Sequence, residues 1–168
     1  VTIHEPIARV PKLISIKRVI DACITGNETL KKYFGIKKPR IACAGLNPHA
    51  GENGLFGKEE QRAIKPAIKR LNKMGISVSG PFPADTLFTD QMIDQYDLFV
   101  CMYHDQGLIP FKMRSFFKGV NITAGLPIIR TSPDHGTAFS IAGRNIANHH
   151  SMREAILVAR EMVIHSNQ

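Results

Sequence analysis

Three histidines, His4, His49 and His104, each stand just beyond a run of residues that reads as a strand. Imidazole is a good ligand for zinc and other transition metals, and three protein ligands leave a coordination position open for substrate. Magnesium ordinarily asks for more oxygen donors than this trio supplies. Any one histidine alone is most often a hydrogen-bonded surface or core residue. Their common placement at strand ends is what points to a shared rim.

Two carboxylates accompany them. Asp105 directly follows His104, and Asp85 follows the strand expected at 76–79. Either can orient a ligating imidazole from behind or accept a proton. Asp85, within Pro83-Ala84-Asp85-Thr86, also suits a turn or a helix cap. Lys112, Asn121 and Arg130 are polar residues set in otherwise apolar segments. Two cations and an amide form a cradle for an anion such as phosphate. The polar loop Thr131 to Ala138, with Asp134, His135, Gly136, Thr137 and Ala138 at its end, enters a helical segment, and its backbone groups can hold pyrophosphate or adenosine. The glycine fingerprint of dinucleotide folds, the phosphate loop and the nucleophile elbow are all absent.

The elements that must position these residues alternate. Arg40 to Gly45 reads as a strand, and Leu46 to Gly57, rich in glycine and carrying His49 and Glu52, as the loop at its carboxyl end. Ligands of open α/β sheets sit outside such strand ends. Lys58 to Met74 has the helical stripe Ala63, Ile64, Ala67, Ile68, Leu71 and Met74, with a kink or break expected at Pro66. Ile76 to Ser79 is a strand, Gly80 to Pro83 a rigid turn, Asp90 to Gln95 a short helix, and Asp97 to Tyr103 a nearly continuous apolar strand of the kind covered on both faces. Before them, Pro11 to Ala22 is a helix ended by Gly26 and Asn27, with a second short helix over Glu28 to Phe34. After them come helical turns over Leu108 to Phe117, strands at Gly119 to Thr123 and Ile128 to Arg130, an irregular helical segment over Phe139 to Ile146, and a terminal helix Ser151 to Ile164 opened by a Ser151–Glu154 capping box. This order implies an α/β fold: an open α/β/α sandwich on a largely parallel sheet. Val1 to Ile3 reads as the end of a strand, so more chain is expected before it.

Composition narrows the function classes. The 168 residues suffice for one core, and 43% hydrophobic residues argue against disorder. Apolar runs are too short to span a bilayer, and no signal peptide is expected. Cys23, Cys43 and Cys101 lack zinc-finger spacing and read as reduced thiols of a cytoplasmic protein. The net charge of +8 is spread over several elements without an arginine-rich tail. A phosphorylated small substrate or a dinucleotide explains it as well as nucleic acid does. Neither nucleic acid nor membrane is expected as a partner.

Four motifs in order carry a resemblance: Leu46-Asn47-Pro48-His49-Ala50-Gly51-Glu52, Pro83-Ala84-Asp85-Thr86-Leu87-Phe88, Tyr103-His104-Asp105-Gln106-Gly107 and Asp134-His135-Gly136-Thr137-Ala138. Over nearly its whole length the chain resembles the C-terminal half of the 4-hydroxythreonine-4-phosphate dehydrogenase family of pyridoxal phosphate biosynthesis, related to the isocitrate/isopropylmalate dehydrogenase group. The resemblance implies that His4, His49 and His104 bind a divalent metal (zinc, magnesium or cobalt) at a homodimer interface to which both subunits contribute. It implies that Asp85 and Asp105 lie beside the metal, that Lys112, Asn121 and Arg130 bind substrate, and that Asp134 to Ala138 contact NAD or NADP. It implies oxidation and decarboxylation of 4-phosphooxy-L-threonine, a phosphorylated hydroxy amino acid. Residues 1–147 would form the metal, substrate and NAD-binding domain, and 148–168 a helix returning to a first domain. The chain departs from the family at Glu5, beside His4, and at Asn53, where glycine is usual. Relatives with this framework oxidise other phosphorylated four-carbon hydroxy acids, such as threonate or erythronate phosphate. A metal-dependent hydrolase and an inactive binding module remain as rival classes.

Overall fold

The computed structural model describes residues 1–115 and 118–167. At its centre is strand β1 (Arg40–Ala44), hydrogen-bonded in parallel to β2 (Ser77–Phe82) on one side and β3 (Leu98–Val100) on the other. Register runs Ile41 to Val78 across one ladder and Ile41 to Leu98 across the other. Side chains alternate across a strand, so β1 serves two cores. Ile41 and Cys43 pack on one face with Val19, Cys23, Ala67, Ile68, Leu71 and Met102, while Ala42 and Ala44 pack on the other with Leu87, Phe82, Phe88 and Phe99. Helices α2 (Ile16–Phe34) and α3 (Lys65–Lys73) cover the first face. Short helices α4 (Ala84–Leu87) and α5 (Asp90–Ile93) cover the second. The expected α/β/α layering and parallel sheet are present.

The ladder starts from a clamp. The backbone N–H of Arg40 donates to Asp97 Oδ2 at 2.8 Å, its Nε to the same oxygen at 3.2 Å and its Nη2 to Oδ1 at 3.1 Å. The Asp97 N–H returns a bond to the Arg40 carbonyl at 2.8 Å. These bonds fix the register in which β1 and β3 begin.

Several boundaries differ from the sequence reading, each for a physical reason. Gly26 and Asn27 do not end a helix: α2 runs through them from the Ser15 cap, whose hydroxyl accepts the Arg18 N–H, to the left-handed Gly35. A Cβ at Gly26 would collide with the Leu98 side chain, so the glycine lets β3 approach the helix. The residues before Ser15 form only the one-turn helix α1 (Val10–Leu13). Pro66 produces no break. A π turn over Glu60–Ile64, with the Lys65 amide bonded five residues back to Glu60, leads into α3 and leaves proline in its first turn. Strand β2 continues through Gly80 and Pro81, which the sequence suggested were a turn. Strand β3 is shorter than Asp97 to Tyr103, and His104 opens helix α6 (His104–Ser115). The end of the helical stretch expected up to Phe117 lies outside the described residues.

A separate antiparallel hairpin pairs β4 (Val120–Ile122) with β5 (Thr131–Pro133), so the strand expected at Ile128 to Arg130 forms slightly later and takes the start of the expected polar loop. Within 139–146 the helical part is one turn, Phe139–Ile141. The last helix, α7 (His150–Ser166), packs on α2 and on the hairpin. Ser151 is buried, but its hydroxyl donates to the Gly119 carbonyl at 2.8 Å and accepts the Asp134 N–H at 3.1 Å. It fastens α7 to the hairpin and forms no capping box. The Asn148 side chain accepts the His150 N–H instead.

The Arg40 side chain donating to Asp97 holds that carboxyl below its ordinary value, outweighing the upward push of burial with help from the Arg40 amide and charge. A lowered folded pKa stabilises the fold above the unfolded value, near 3.9, and the benefit fades as pH falls through the folded value. Asp97→Asn is therefore expected to lower the urea midpoint at neutral pH, with the gap from the parent closing below about pH 3.9. A gap that does not change with pH would contradict this account of the clamp.

Candidate active site

Two of the three histidines come together within the chain. The first residues run beside the end of β3: Thr2 donates to the Met102 carbonyl through its N–H at 3.0 Å and its hydroxyl at 2.8 Å. This places His4 against His104, with ring centroids 5.3 Å apart and planes inclined by 41°. Two imidazoles bound to one tetrahedral zinc at about 2.0–2.1 Å per nitrogen would have centroids about 5 Å apart, so the spacing fits a shared divalent ion. The His104 Nδ1 is 2.7 Å from Asp105 Oδ1. With that nitrogen carrying the proton, Nε2 keeps its lone pair for a ligand, the arrangement metal-binding histidines usually show. A small cleft of about 230 Å³ lies between Ile3, His4, Glu5, Tyr103, His104 and Asp105. Glu5 is engaged with Arg9 at 3.3 Å.

His49 is not in this pair. Its ring faces Phe56 at 6.0 Å, and among the described residues no three His, Cys, Asp or Glu side chains stand together as a metal cage. The rim expected of three histidines is thus realised within one chain for two of them.

The His49 loop has an unusual backbone. His49, Ala50, Gly51, Glu52 and Asn53 all have left-handed dihedrals, with φ of 52°, 50°, 79°, 36° and 56°. For residues with a Cβ this costs roughly 1–2 kcal/mol each, somewhat less for asparagine. The offset comes from Glu60, a residue the sequence reading passed over. Its side chain is buried, and Oε1 accepts the N–H groups of Leu46 and Asn47, each at 2.8 Å. Oε2 accepts Asn47 Nδ2 at 2.9 Å. Hydrogen bonds to a charged acceptor contribute about 1.5–3 kcal/mol each, enough to balance the strain. One signal could have found Glu60: it lies three and four residues before Ala63 and Ile64, on the buried stripe of its helix, where a lone carboxylate needs partners.

Gln106 was also missed as a structural link. Buried, it accepts the Met102 N–H at 2.6 Å and donates to the Gly45 carbonyl at 2.7 Å, tying the ends of β3 and β1. Asp85 and Asp105 line one cleft of about 560 Å³ with Tyr103, Gln106 and Arg114. Both carboxylates are exposed.

The three predicted anion-binding residues gather around the hairpin. Lys112, on α6, pairs with Asp134 at 3.1 Å, just past β5. Asn121 lies on β4 opposite Ser132, and Arg130 Nη1 donates to Thr123 Oγ1 at 2.8 Å. The Asp134 to Ala138 loop is largely exposed, with the His135 ring against the Gly136 carbonyl at 2.9 Å. The thiols offer no nucleophile here: Cys23 and Cys43 are buried, and burial pushes Cys101 up to about 11.

A family model described as pyridoxal phosphate biosynthetic protein PdxA matches residues 1–159. A 4-hydroxythreonine-4-phosphate dehydrogenase of Desulforapulum autotrophicum is 54% identical over 95% of this chain and 47% of its own length. One from Caulobacter vibrioides is 51% identical over 96% of this chain and 49% of its own length. The crystal structure of a 4-hydroxythreonine-4-phosphate dehydrogenase from Klebsiella pneumoniae superposes with a TM-score of 0.85 at 43% identity, covering 96% of this chain and 49% of that one. The chain spans about half the length of the curated relatives it matches.

A Cβ at Gly51 would lie 2.5 Å from Glu60 Oε2, whereas one at Gly75, also at positive φ, would meet nothing within 4 Å. Gly75→Ala should cost about 1–2 kcal/mol of unfolding free energy from its backbone alone. Gly51→Ala should cost more, about 3 kcal/mol, because the carboxylate must also shift. Equal losses by urea titration would contradict the tight seating of the loop on Glu60.

Proposed function

The chain belongs to the PdxA family of pyridoxal phosphate biosynthetic proteins, and from that membership we propose that the whole protein is a 4-hydroxythreonine-4-phosphate dehydrogenase. Its reaction is oxidation of the secondary alcohol of 4-phosphooxy-L-threonine, followed by loss of carbon dioxide from the resulting β-keto acid. The observation that carries this reading is the His4–His104 pair, at the spacing of two ligands to one ion and with Asp105 behind His104. When bound, a divalent ion (zinc, magnesium or cobalt) lowers the alcohol's pKa and stabilises developing negative charge, and NAD or NADP accepts the hydride.

The chain's own residues do the rest. His4 and His104 hold the ion from one copy, and His49 from a second copy completes the set in a homodimer. Ile3, Ile7, Leu55 and Phe56, around these histidines, are exposed apolar side chains of the kind that favours such an interface. Asp105 is committed to orienting His104, which leaves Asp85, in the same cleft, to take the alcohol proton. Lys112, Asn121 and Arg130 hold the phosphate and carboxylate and so fix the reacting carbon. Asp134, His135, Gly136, Thr137 and Ala138 face the dinucleotide, and the Lys112–Asp134 pair links that loop to the substrate side. Residues 1–147 form the metal, substrate and cofactor domain. Residues 148–168 reach the first domain through the exposed side chains Met152, Ile156 and Val163 of α7. The charge of +8 suits a phosphorylated substrate and a dinucleotide, without nucleic acid or membrane as partner. A cytoplasmic setting keeps the three free thiols reduced.

In the full-length protein, His49→Ala is expected to lower metal-dependent NADH formation on 4-phosphooxy-L-threonine by more than about a hundredfold, beyond the loss typical of an outer-shell partner. Bound metal should fall with it. Metal content and NADH formation both intact in that variant would end the assignment. Phosphate release without NADH would mark a hydrolase instead.

A further inference from the structure

We infer that Glu60 is the positioning residue for His49: its carboxylate holds the left-handed turn that aims this imidazole at the metal. The inference rests on the proposed metal site and adds to it a residue outside the ligand set. Three observations converge. Among the described residues, all the bonds that Glu60's side chain accepts come from Leu46 and Asn47, the residues three and two before His49. The turn is cleared for the carboxylate at Gly51, where a Cβ would lie 2.5 Å from Oε2, while a Cβ at Gly45 would first meet the Ala50 backbone at 2.9 Å. Glu60 stands on a π turn whose Ala63 and Ile64 are buried in the core, so its platform does not move with the loop. An ionised carboxylate only accepts hydrogen bonds, and every partner here donates. A glutamine would turn an NH₂ toward another donor, and an aspartate would be one methylene short. Left-handed backbone at non-glycine residues persists only where the surroundings impose it. Glu60 anchors the entry to the turn at Leu46 and Asn47, while Gln61 Nε2 donates to the Asn53 carbonyl at its far end at 2.6 Å.

The test is a cobalt(II) titration of the full-length protein, read by its visible absorption, together with hydrogen exchange over residues 46–56. His49→Ala should lose cobalt binding. Glu60→Gln should weaken it about 10- to 100-fold, alter the absorption of the saturated protein and speed exchange in the loop. Leu71→Ala, buried in the core among α2 and α3 residues, should lower the melting temperature while leaving cobalt affinity unchanged. That control separates positioning from general loss of stability. If Glu60→Gln does not fold, Asn47→Ala decides beside Glu59→Ala, which removes the other acceptor of the Asn47 amide. Several-fold weaker binding in Asn47→Ala with parental affinity in Glu59→Ala is expected, and parental affinity in Asn47→Ala or equal weakening in both overturns the inference. Loss of cobalt in His49→Ala with parental affinity in Glu60→Gln overturns the role of Glu60 alone. Parental affinity in His49→Ala overturns the metal reading and this inference with it.

Discussion

One buried carboxylate carries much of this structure's organisation. Glu60 takes three hydrogen bonds from the loop after β1, and against them the chain holds a turn of reversed hand. Neither half is stable alone. A buried carboxylate without donors would be driven to protonate or to leave the core, and left-handed alanine, histidine and glutamate would relax to ordinary dihedrals. Joined, they form a rigid projection at the carboxyl end of the central strand, with an imidazole at its tip. Strain of this kind, fixed by its surroundings, is where a fold stores preorganisation.

The sheet explains why this projection and the His4–His104 pair lie at the same edge of the fold. β1 and β3 are parallel and start from a common clamp, Arg40 with Asp97, so their carboxyl ends emerge together. Gln106 joins those ends again at the top, between Gly45 and Met102. The first residues are bonded to Met102 and carry His4 into place. The amino-terminal segment and the end of β3 thus bring His4 and His104 together through backbone bonding, before any ligand is considered. The hairpin carrying Asn121 and Arg130 is fastened separately, by Ser151 of α7 and by Lys112 of α6.

Much of this was legible in the sequence, and the remainder had physical reasons to be hidden. The apolar run Ile41 to Ala44 and the stripe from Ala63 to Leu71 announced a strand and a helix because burial on two faces and on one stripe leaves distinct periods. Gly26 misled because a glycine that makes room for Leu98 looks the same as one that ends a helix. Pro66 marked an irregularity that takes the form of a π turn just before it, which accommodates the missing donor without a break. The Ser151–Glu154 spacing suggested a cap, yet the hydroxyl found tertiary partners instead. Of the site, the histidines and Asp105 stood out by type and position. Glu60 did not, since a glutamate at the start of a helix usually faces water, and only its place on the apolar stripe marks it.

The central claim is that His49 of one copy completes a site begun by His4 and His104 of another. Mixing full-length His49→Ala subunits with full-length His104→Ala subunits tests it directly. Each variant alone lacks a ligand in both sites of its dimer. In the mixed dimer, a shared site would leave one of the two intact, because the His104→Ala subunit still supplies His49 and the His49→Ala subunit still supplies His4 and His104. The account predicts that mixing restores one tightly bound metal ion per dimer, with NADH formation returning alongside. Mixed dimers that form but bind no metal and stay inactive would contradict it.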